Sequence, residues 1–210
     1  MRSTFLIALA ALVTTLSVPA LRSTTVSPCA PPHGFKDTPH PSLVPDAQLV
    51  SHTEEVIVNR PLDQVLNEVE HTALNQAIRP SSGLPGVIGT YALTSTPFGQ
   101  PGSRRLVCLS DGSTTQEQVL ANERSKTSAH FRYIVWNYTT PKARPIVYGL
   151  GDFLRTDLGN GRTRTRWTYF FQLNRCRFPG FLGPLGDYLF RVTFLERDYA
   201  KMMKQTLAGE

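Results

Sequence analysis

The sequence lacks the patterns that identify most metal proteins and several enzyme classes. Its three cysteines, Cys29, Cys108 and Cys176, form no CxxC pair, and its five histidines are scattered along the chain. No glycine-rich phosphate loop follows a strand-like segment, and the chain has no GxSxG elbow of a serine hydrolase. We therefore expect no metal site, no cofactor and no serine-hydrolase chemistry.

Blocks of like charge and long hydrophobic runs are also missing. The net charge of +6 is mild and spread along the chain, whereas a dedicated nucleic-acid binder concentrates Lys and Arg among aromatic residues. The N-terminal apolar run, residues 5–16, is shorter than the roughly 20 residues that a membrane-spanning helix needs. These features argue against a nucleic-acid partner and favour a processed leader over a spanning helix.

Residues 1–20 have the order of features found in a secretory signal peptide. Arg2 gives the positive start, residues 5–16 give the apolar centre, and residues 18–20 precede the expected cleavage. We expect this segment to be removed and the mature protein to be secreted or periplasmic. An uncleaved N-terminal anchor is the alternative.

Residues 21–50 carry six prolines, with serine and threonine between them and no apolar periodicity. Proline removes a backbone donor and restricts φ, so such a segment favours extended and unpaired chain. We expect a proline-rich, disordered tether that leads into a folded domain at residues 51–207.

The folded domain opens with a strand-like segment, residues 53–59. Residues 62–69 then carry apolar side chains at helical spacing, and residues 73–78 predict a second short helix. From residue 87 to residue 173 the pattern is that of strands separated by tight turns.

The last segment, residues 182–207, predicts a long amphipathic helix with Asp187 as its N-cap. Such a wide apolar stripe must bury against something, and the strands before it are the available partner. The predicted fold class is α+β, a curved antiparallel sheet of six to seven strands wrapped round this helix. The stripe comprises Leu185, Tyr188, Leu189, Val192, Leu195, Tyr199, Met202, Met203 and Leu207.

Turn signals at residues 111–112 and 159–161 set two strand registers. The residues that then face each other are Arg105 with Glu117, and Phe153 with Trp167. Because side chains alternate along a strand, aromatic residues collect on one inner surface. A solid aromatic core and a cavity both remain open interpretations of that surface. Its members are Tyr91, Tyr133, Phe153, Trp167, Tyr169 and Phe171.

The fold is expected not to depend on a disulfide within the domain. Cys108 falls on the outer face of its strand, and Cys176 ends the last strand, several strands away. Neighbouring strands lie about 4.8 Å apart, whereas a disulfide needs Cα atoms within roughly 7 Å. Cys29 on the tether could reach either cysteine or pair between chains.

Three short motifs recur in the order and spacing of a known superfamily. They are residues 56–61 followed by Val65, Arg105 with Asp111, Gly112 and Glu117, and Gly161, Arg162 and Thr163 with Trp167. With these motifs the chain resembles the SRPBCC superfamily, the START-like, pollen-allergen-like and polyketide-cyclase-like proteins with a helix-grip fold. The resemblance covers residues 51–207 and implies that fold. It also implies that Arg105 and Glu117 face inward, where the residue pattern alone leaves a surface ion pair open. A signal peptide and tether depart from most small cyclase-like members.

Two functional hypotheses follow. The first is an exported carrier or sensor that holds a lipid, sterol, polyketide or similar hydrophobic molecule, with transient membrane contact as an additional interaction. The second is a cyclase or dehydratase in which Glu117 is the general base and Arg105 or Tyr133 assists. A carboxylate held by arginine is a weak base, so the carrier is favoured. The expected ligand-binding residues are Tyr91, Arg105, Glu117, Tyr133, Phe153, Trp167 and Tyr169.

Overall fold

The computed structural model describes residues 29–81 and 83–210. The predicted signal peptide, residues 1–20, and the first part of the predicted tether lie outside the described residues. Within the described chain, no helix combines the length and the apolar character that crossing a membrane demands.

The described residues contain one seven-stranded antiparallel sheet, as predicted. The strands are β1 (Val50–Val58), β2 (Val87–Ala92), β3 (Arg104–Leu109), β4 (Thr114–Arg124), β5 (Ser128–Trp136), β6 (Ile146–Gly159) and β7 (Arg162–Leu173). Their spatial order is β1-β7-β6-β5-β4-β3-β2. Successive strands from β2 to β7 are therefore neighbours, and only β1 crosses the molecule to pair with β7.

The helices lie where the sequence predicts them. α1 (Leu62–His71) and α2 (Leu74–Ala77) follow β1, and a long C-terminal helix follows β7. This helix consists of α3 (Pro184–Phe190), a π-helical segment (Arg191–Tyr199) and α4 (Ala200–Leu207). Its buried residues Phe190, Leu195, Met202, Met203 and Leu207 pack against the aromatic side of β7.

Both predicted hairpin registers are confirmed. Arg105 pairs with Glu117 across β3 and β4, and Phe153 pairs with Trp167 across β6 and β7. The second turn places Asn160 and Gly161 at positive φ, a conformation that Asn and Gly tolerate better than other residues. The positions of the two tight turns in the sequence therefore set which residues pair across each hairpin.

One strand departs from the predicted alternation. A bulge between Val87 and Gly89 inserts an extra residue into β2, so the residues after it face the opposite side of the sheet. Tyr91 therefore pairs with Leu106 on the outer face and is 44% exposed, although its parity with Val87 predicted an inner position. The assignment of Tyr91 to the inner surface is wrong for this reason.

The C-terminal helix also differs from the predicted stripe at its start. Leu185 and Tyr188 are exposed, whereas Phe190 is buried against Phe171. The π-helical segment has wider turns than an α-helix, so one straight 3.6-residue stripe does not run through both halves. Asp187 is not the N-cap, because Gly183 takes that position and Asp187 pairs with Arg175 at 2.6 Å.

The described part of the proline-rich segment is packed against the outer face of the sheet, which corrects the expectation of a disordered tether. Val44 and Leu49 cover an apolar cluster of outward-facing side chains on β5 and β6. The Thr38 carbonyl accepts a hydrogen bond from the Trp136 indole at 3.2 Å, and the Val44 amide donates to the Tyr148 hydroxyl at 3.0 Å. Proline prevents the segment from pairing as a strand but not from docking as extended chain.

A disulfide joins this segment to the sheet. Cys29 is bonded to Cys108, with 5.4 Å between their Cα atoms, and both side chains are buried. Cys108 lies on the outer face, as its parity predicted, while Cys176 is free and exposed. Of the pairings that the sequence left open, the structure selects the one that pins residues 29–49 to the sheet.

We expect Cys29→Ser to lower the free energy of unfolding by about 2–4 kcal/mol, because the bond closes a loop of 79 residues. Urea denaturation of the wild type, Cys29→Ser and the control Cys176→Ser measures the difference. Reductant should bring the wild type to the stability of Cys29→Ser and leave that variant unchanged. Equal stability of all three proteins would show that the disulfide contributes nothing to stability.

Candidate functional site

A cavity lies between the inner face of the sheet, α1, α2 and the C-terminal helix. Its volume is about 1420 Å³. The helix covers only part of the curved sheet, so side chains of β3 to β7 remain in contact with the open space. The cavity interpretation of the inner surface therefore holds, with aromatic residues forming its wall.

The wall is a continuous set of aromatic rings. Phe153 stacks on Trp167 with ring centroids 4.5 Å apart, and Tyr169 stacks on Phe171 at 5.0 Å. Tyr133 lies beside Phe153 at 6.5 Å and thereby joins the two central strands. These rings pack on one another on one side and line the cavity on the other.

Two glycines on β6 make room for this wall. A Cβ atom at Gly151 would lie 2.2 Å from Cζ of Tyr133, and one at Gly149 would lie 2.7 Å from Cε1 of Tyr169. No other residue type fits under these rings without displacing them. The Gly149-x-Gly151 spacing is the sequence signal for this arrangement, and pattern analysis by polarity alone passes over it.

Arg105 and Glu117 form an inward ion pair at the β3–β4 side of the cavity. Nε of Arg105 donates a hydrogen bond to Oε2 of Glu117 at 2.6 Å, and Nη2 of Arg105 lies 2.6 Å from the same oxygen. The side chains are only 17% and 9% exposed, and the Arg105 guanidinium lies 3.7 Å from the ring centroid of Phe98. The pair shares its face with Val107, as predicted, and supplies a polar group to an otherwise mostly apolar wall.

Tyrosine hydroxyls form the second polar feature of the wall. Burial raises the pKa of Tyr133 well above its usual value, and the Glu117 charge raises it further, while Arg105 acts in the opposite direction. Burial likewise raises the pKa of Tyr138 and of Tyr169. These phenols therefore stay protonated near neutral pH. The Tyr138 hydroxyl is buried without a hydrogen-bond partner among the described residues, so it can donate to a bound molecule.

A second ion pair lines another part of the cavity. Nη2 of Arg155 on β6 contacts Oε1 of Glu210, which follows the C-terminal helix. Both side chains are buried, at 5% and 9% exposure, and both line the cavity. Sequence analysis missed this pair, because nothing in a one-dimensional pattern links a strand residue to one 55 positions later.

The structure brings together six of the seven residues predicted to bind a ligand. Tyr91 lies on the outer face, for the reason given above. Among the described residues no group of three or more His, Cys, Asp or Glu side chains is arranged to hold a metal ion. The six that line the cavity are Arg105, Glu117, Tyr133, Phe153, Trp167 and Tyr169.

We expect strong coupling between Arg105 and Glu117 in a double-mutant cycle of Arg105→Met and Glu117→Leu. Either single change leaves a mostly buried charge unpaired and should cost about 3–5 kcal/mol, while the double change should be far milder. The exposed pair Arg124 and Glu70 is the control, for which coupling of about 0–1 kcal/mol is expected. Denaturant unfolding measures both cycles, and additive small effects at residues 105 and 117 would contradict the inward placement.

Comparison with known proteins gives no match to any protein-family model and no match to any curated relative. Solved structures nevertheless share the architecture. A START superfamily protein from Mycobacterium smegmatis is 13% identical over 76% of this chain and 94% of its own, with a TM-score of 0.51. A hypothetical protein from Helicobacter pylori is 14% identical over 83% and 96%, with a TM-score of 0.52.

A third similar structure is the di-domain ARO/CYC protein BexL. It is 11% identical, the match covers 74% of this chain and 44% of that protein, and the TM-score is 0.50. At such identities the likeness concerns the fold alone. The curved seven-stranded sheet and the long C-terminal helix, matched by these structures, confirm the expected architecture: the chain has a helix-grip fold.

Proposed function

We propose that this protein is an exported carrier that binds one small hydrophobic or amphipathic molecule, such as a lipid, sterol or polyketide, between the sheet and the C-terminal helix. The observation that carries the proposal is the cavity of about 1420 Å³ with its aromatic wall and its inward ion pair. Ligand pockets are mostly apolar and carry a few polar groups that orient the ligand. The volume exceeds the roughly 300–1,000 Å³ typical of drug-sized ligands, which favours a long or multi-ring molecule.

The hydrogen bonding of Glu117 and the protonation of Tyr133 support a carrier over a cyclase or dehydratase. A general base must be able to reach a substrate proton, but Oε2 of Glu117 accepts a hydrogen bond from Nε of Arg105 and also lies 2.6 Å from Nη2. Tyr133 keeps its proton firmly, because burial raises its pKa, so it is suited to hydrogen bonding rather than proton transfer. These groups can orient a ligand without taking part in a reaction.

Export is part of the proposal. The Cys29–Cys108 disulfide supports it, since such bonds persist mainly in secreted and periplasmic proteins. The signal-peptide pattern of residues 1–20 points in the same direction. Both features fit a carrier that works outside the cytoplasm.

We further propose that the carrier contacts anionic membranes through the loop before the C-terminal helix and the first turns of that helix. Four large apolar side chains between residues 178 and 188 are 58–63% exposed. The exposed Arg177 and Arg191 flank them, and Asp187, the only carboxylate between residues 174 and 195, is paired with Arg175. Apolar side chains bordered by unneutralised arginines fit an anionic lipid surface. The four are Phe178, Phe181, Leu185 and Tyr188.

Ligand binding is tested by native mass spectrometry of the purified mature protein, followed by titration of the ligand-stripped protein with a fluorescent fatty acid. We expect a co-purified small molecule, and a single saturable site for the probe. Leu109→Trp, on the cavity wall, should weaken probe binding at least tenfold, because the larger side chain fills the space. The control Ile57→Trp, at a position that is 52% exposed and outside the cavity, should bind like the wild type. Equal binding by both variants would refute the cavity as the site.

Membrane contact is tested by co-sedimentation with phosphatidylglycerol–phosphatidylcholine vesicles. The double variant Phe178→Ser/Phe181→Ser should lose most vesicle binding, because its two aromatic anchors are removed. Tyr91→Ser, another exposed aromatic on a different surface, is the matched control and should retain binding. Binding of the wild type should fall as salt is raised. No binding, or equal loss in both variants, would contradict this part of the proposal.

A further inference from the structure

The buried pair Arg155–Glu210 is incompletely hydrogen bonded. Arg155 is 4% exposed, and its Nη2 contacts one carboxylate oxygen of Glu210. Nε of Arg155 and the second oxygen of Glu210, Oε2, are both buried without a partner among the described residues. The indole Nε1 of neighbouring Trp167 is unpaired and buried as well. Unsatisfied buried polar atoms are costly, so this cluster is not in its most stable arrangement.

The contrast with Arg105 shows what is missing. Arg105 presents the edge formed by Nε and Nη2 to Glu117: Nε donates a hydrogen bond to Oε2, and Nη2 lies 2.6 Å from the same oxygen. Arg155 offers the same edge to Glu210 but uses only Nη2. A guanidinium edge matches a carboxylate through two parallel hydrogen bonds, which is the stronger and more specific geometry. Glu210 therefore occupies a carboxylate site without filling it.

The position of Arg155 suits the head group of a long ligand. Glu117 lies in the cross-strand row of Val135 and Gly149, and Arg155 lies six residues further along β6. At about 3.3 Å per residue, the two arginine sites are roughly 20 Å apart along the sheet. The wall between them contains Tyr133, Phe153 and Trp167, and the Arg155 guanidinium lies 4.9 Å from the ring centroid of Phe153. An apolar chain can thus run along aromatic rings from the Arg155 end.

We propose that Arg155 binds the carboxylate of an acidic amphiphile, such as a fatty acid, and that Glu210 is a placeholder which this carboxylate displaces. The inference rests on the proposed function, because it assigns the ligand class and the orientation within the same cavity. The incoming carboxylate takes both Nε and Nη2 of Arg155, and the Glu210 side chain leaves with residues 208–210, which follow the end of α4 at Leu207. One guanidinium balances one carboxylate, so the charge in this part of the cavity is unchanged by the exchange.

The test compares cis-parinaric acid with its methyl ester, two fluorescent probes that differ in the head group. Wild-type protein should bind the acid more tightly than the ester. Glu210→Gln removes the competing carboxylate and should improve binding of the acid by about tenfold while leaving the ester unchanged. Arg155→Met should abolish the preference for the acid but keep binding of the ester. Glu196→Gln removes an exposed carboxylate of the C-terminal helix that lies outside the cavity lining and should change neither affinity.

The outcomes separate this inference from the proposed function. Equal affinity for acid and ester in the wild type and in Glu210→Gln would overturn the inference and leave the carrier proposal standing. Loss of the acid preference in Arg105→Met instead of Arg155→Met would place the head group at the other ion pair and also overturn it. Absence of binding of either probe would refute both. Thermal unfolding of each variant checks that the fold is intact, and the acid should raise the melting temperature of Glu210→Gln more than the ester does.

Discussion

Both faces of the curved sheet are apolar at its centre, and the rest of the molecule is organised around covering them. Val135 and Tyr133 on β5 face inward, while Ile134 and Trp136 on the same strand face outward and are buried too. A sheet with one solvated face would alternate between apolar and polar residues, but this strand does not. Each face must therefore be shielded from water by another part of the chain. An extended segment covers the outer face, and a helix covers the inner face.

The outer cover is residues 29–49, and it fits closely. Gln116 is completely buried beneath it, where it accepts a hydrogen bond from the Thr38 hydroxyl and donates one to Asp37 at 2.6 Å. Arg132 pairs with Asp46 at 2.6 Å, which holds the segment at a second point. The disulfide at Cys29 completes the attachment. Hydrophobic contact with the sheet is non-directional and would not by itself fix the position of the segment. These polar contacts and the disulfide fix it.

The C-terminal helix covers the inner face and leaves a cavity between itself and the sheet. Where the helix contacts the sheet, Met203 and Leu195 are fully buried; elsewhere the aromatic wall borders the cavity. Charged side chains inside such a cavity need partners, because a lone buried charge is expensive. Both inner arginines have a glutamate partner, but Nε donates a hydrogen bond in Arg105 and is unpaired in Arg155. This difference is the basis of the proposed exchange of Glu210 for an acidic ligand.

Local patterns in the sequence determined the element types, the two hairpin registers and the inner position of Tyr133, Phe153, Trp167 and Tyr169, because tight turns and alternation act over a few residues. The inward placement of Arg105 and Glu117 came from the family resemblance, since the residue pattern alone left a surface pair open. Tyr91 was misplaced since one bulge reverses the parity of everything after it, and bulges have no strong sequence signature. The docking of residues 29–49, the cavity volume and the Arg155–Glu210 pair were decided by tertiary structure alone. Each depends on contacts between residues far apart in the chain, and on the curvature of a sheet that residue order does not encode.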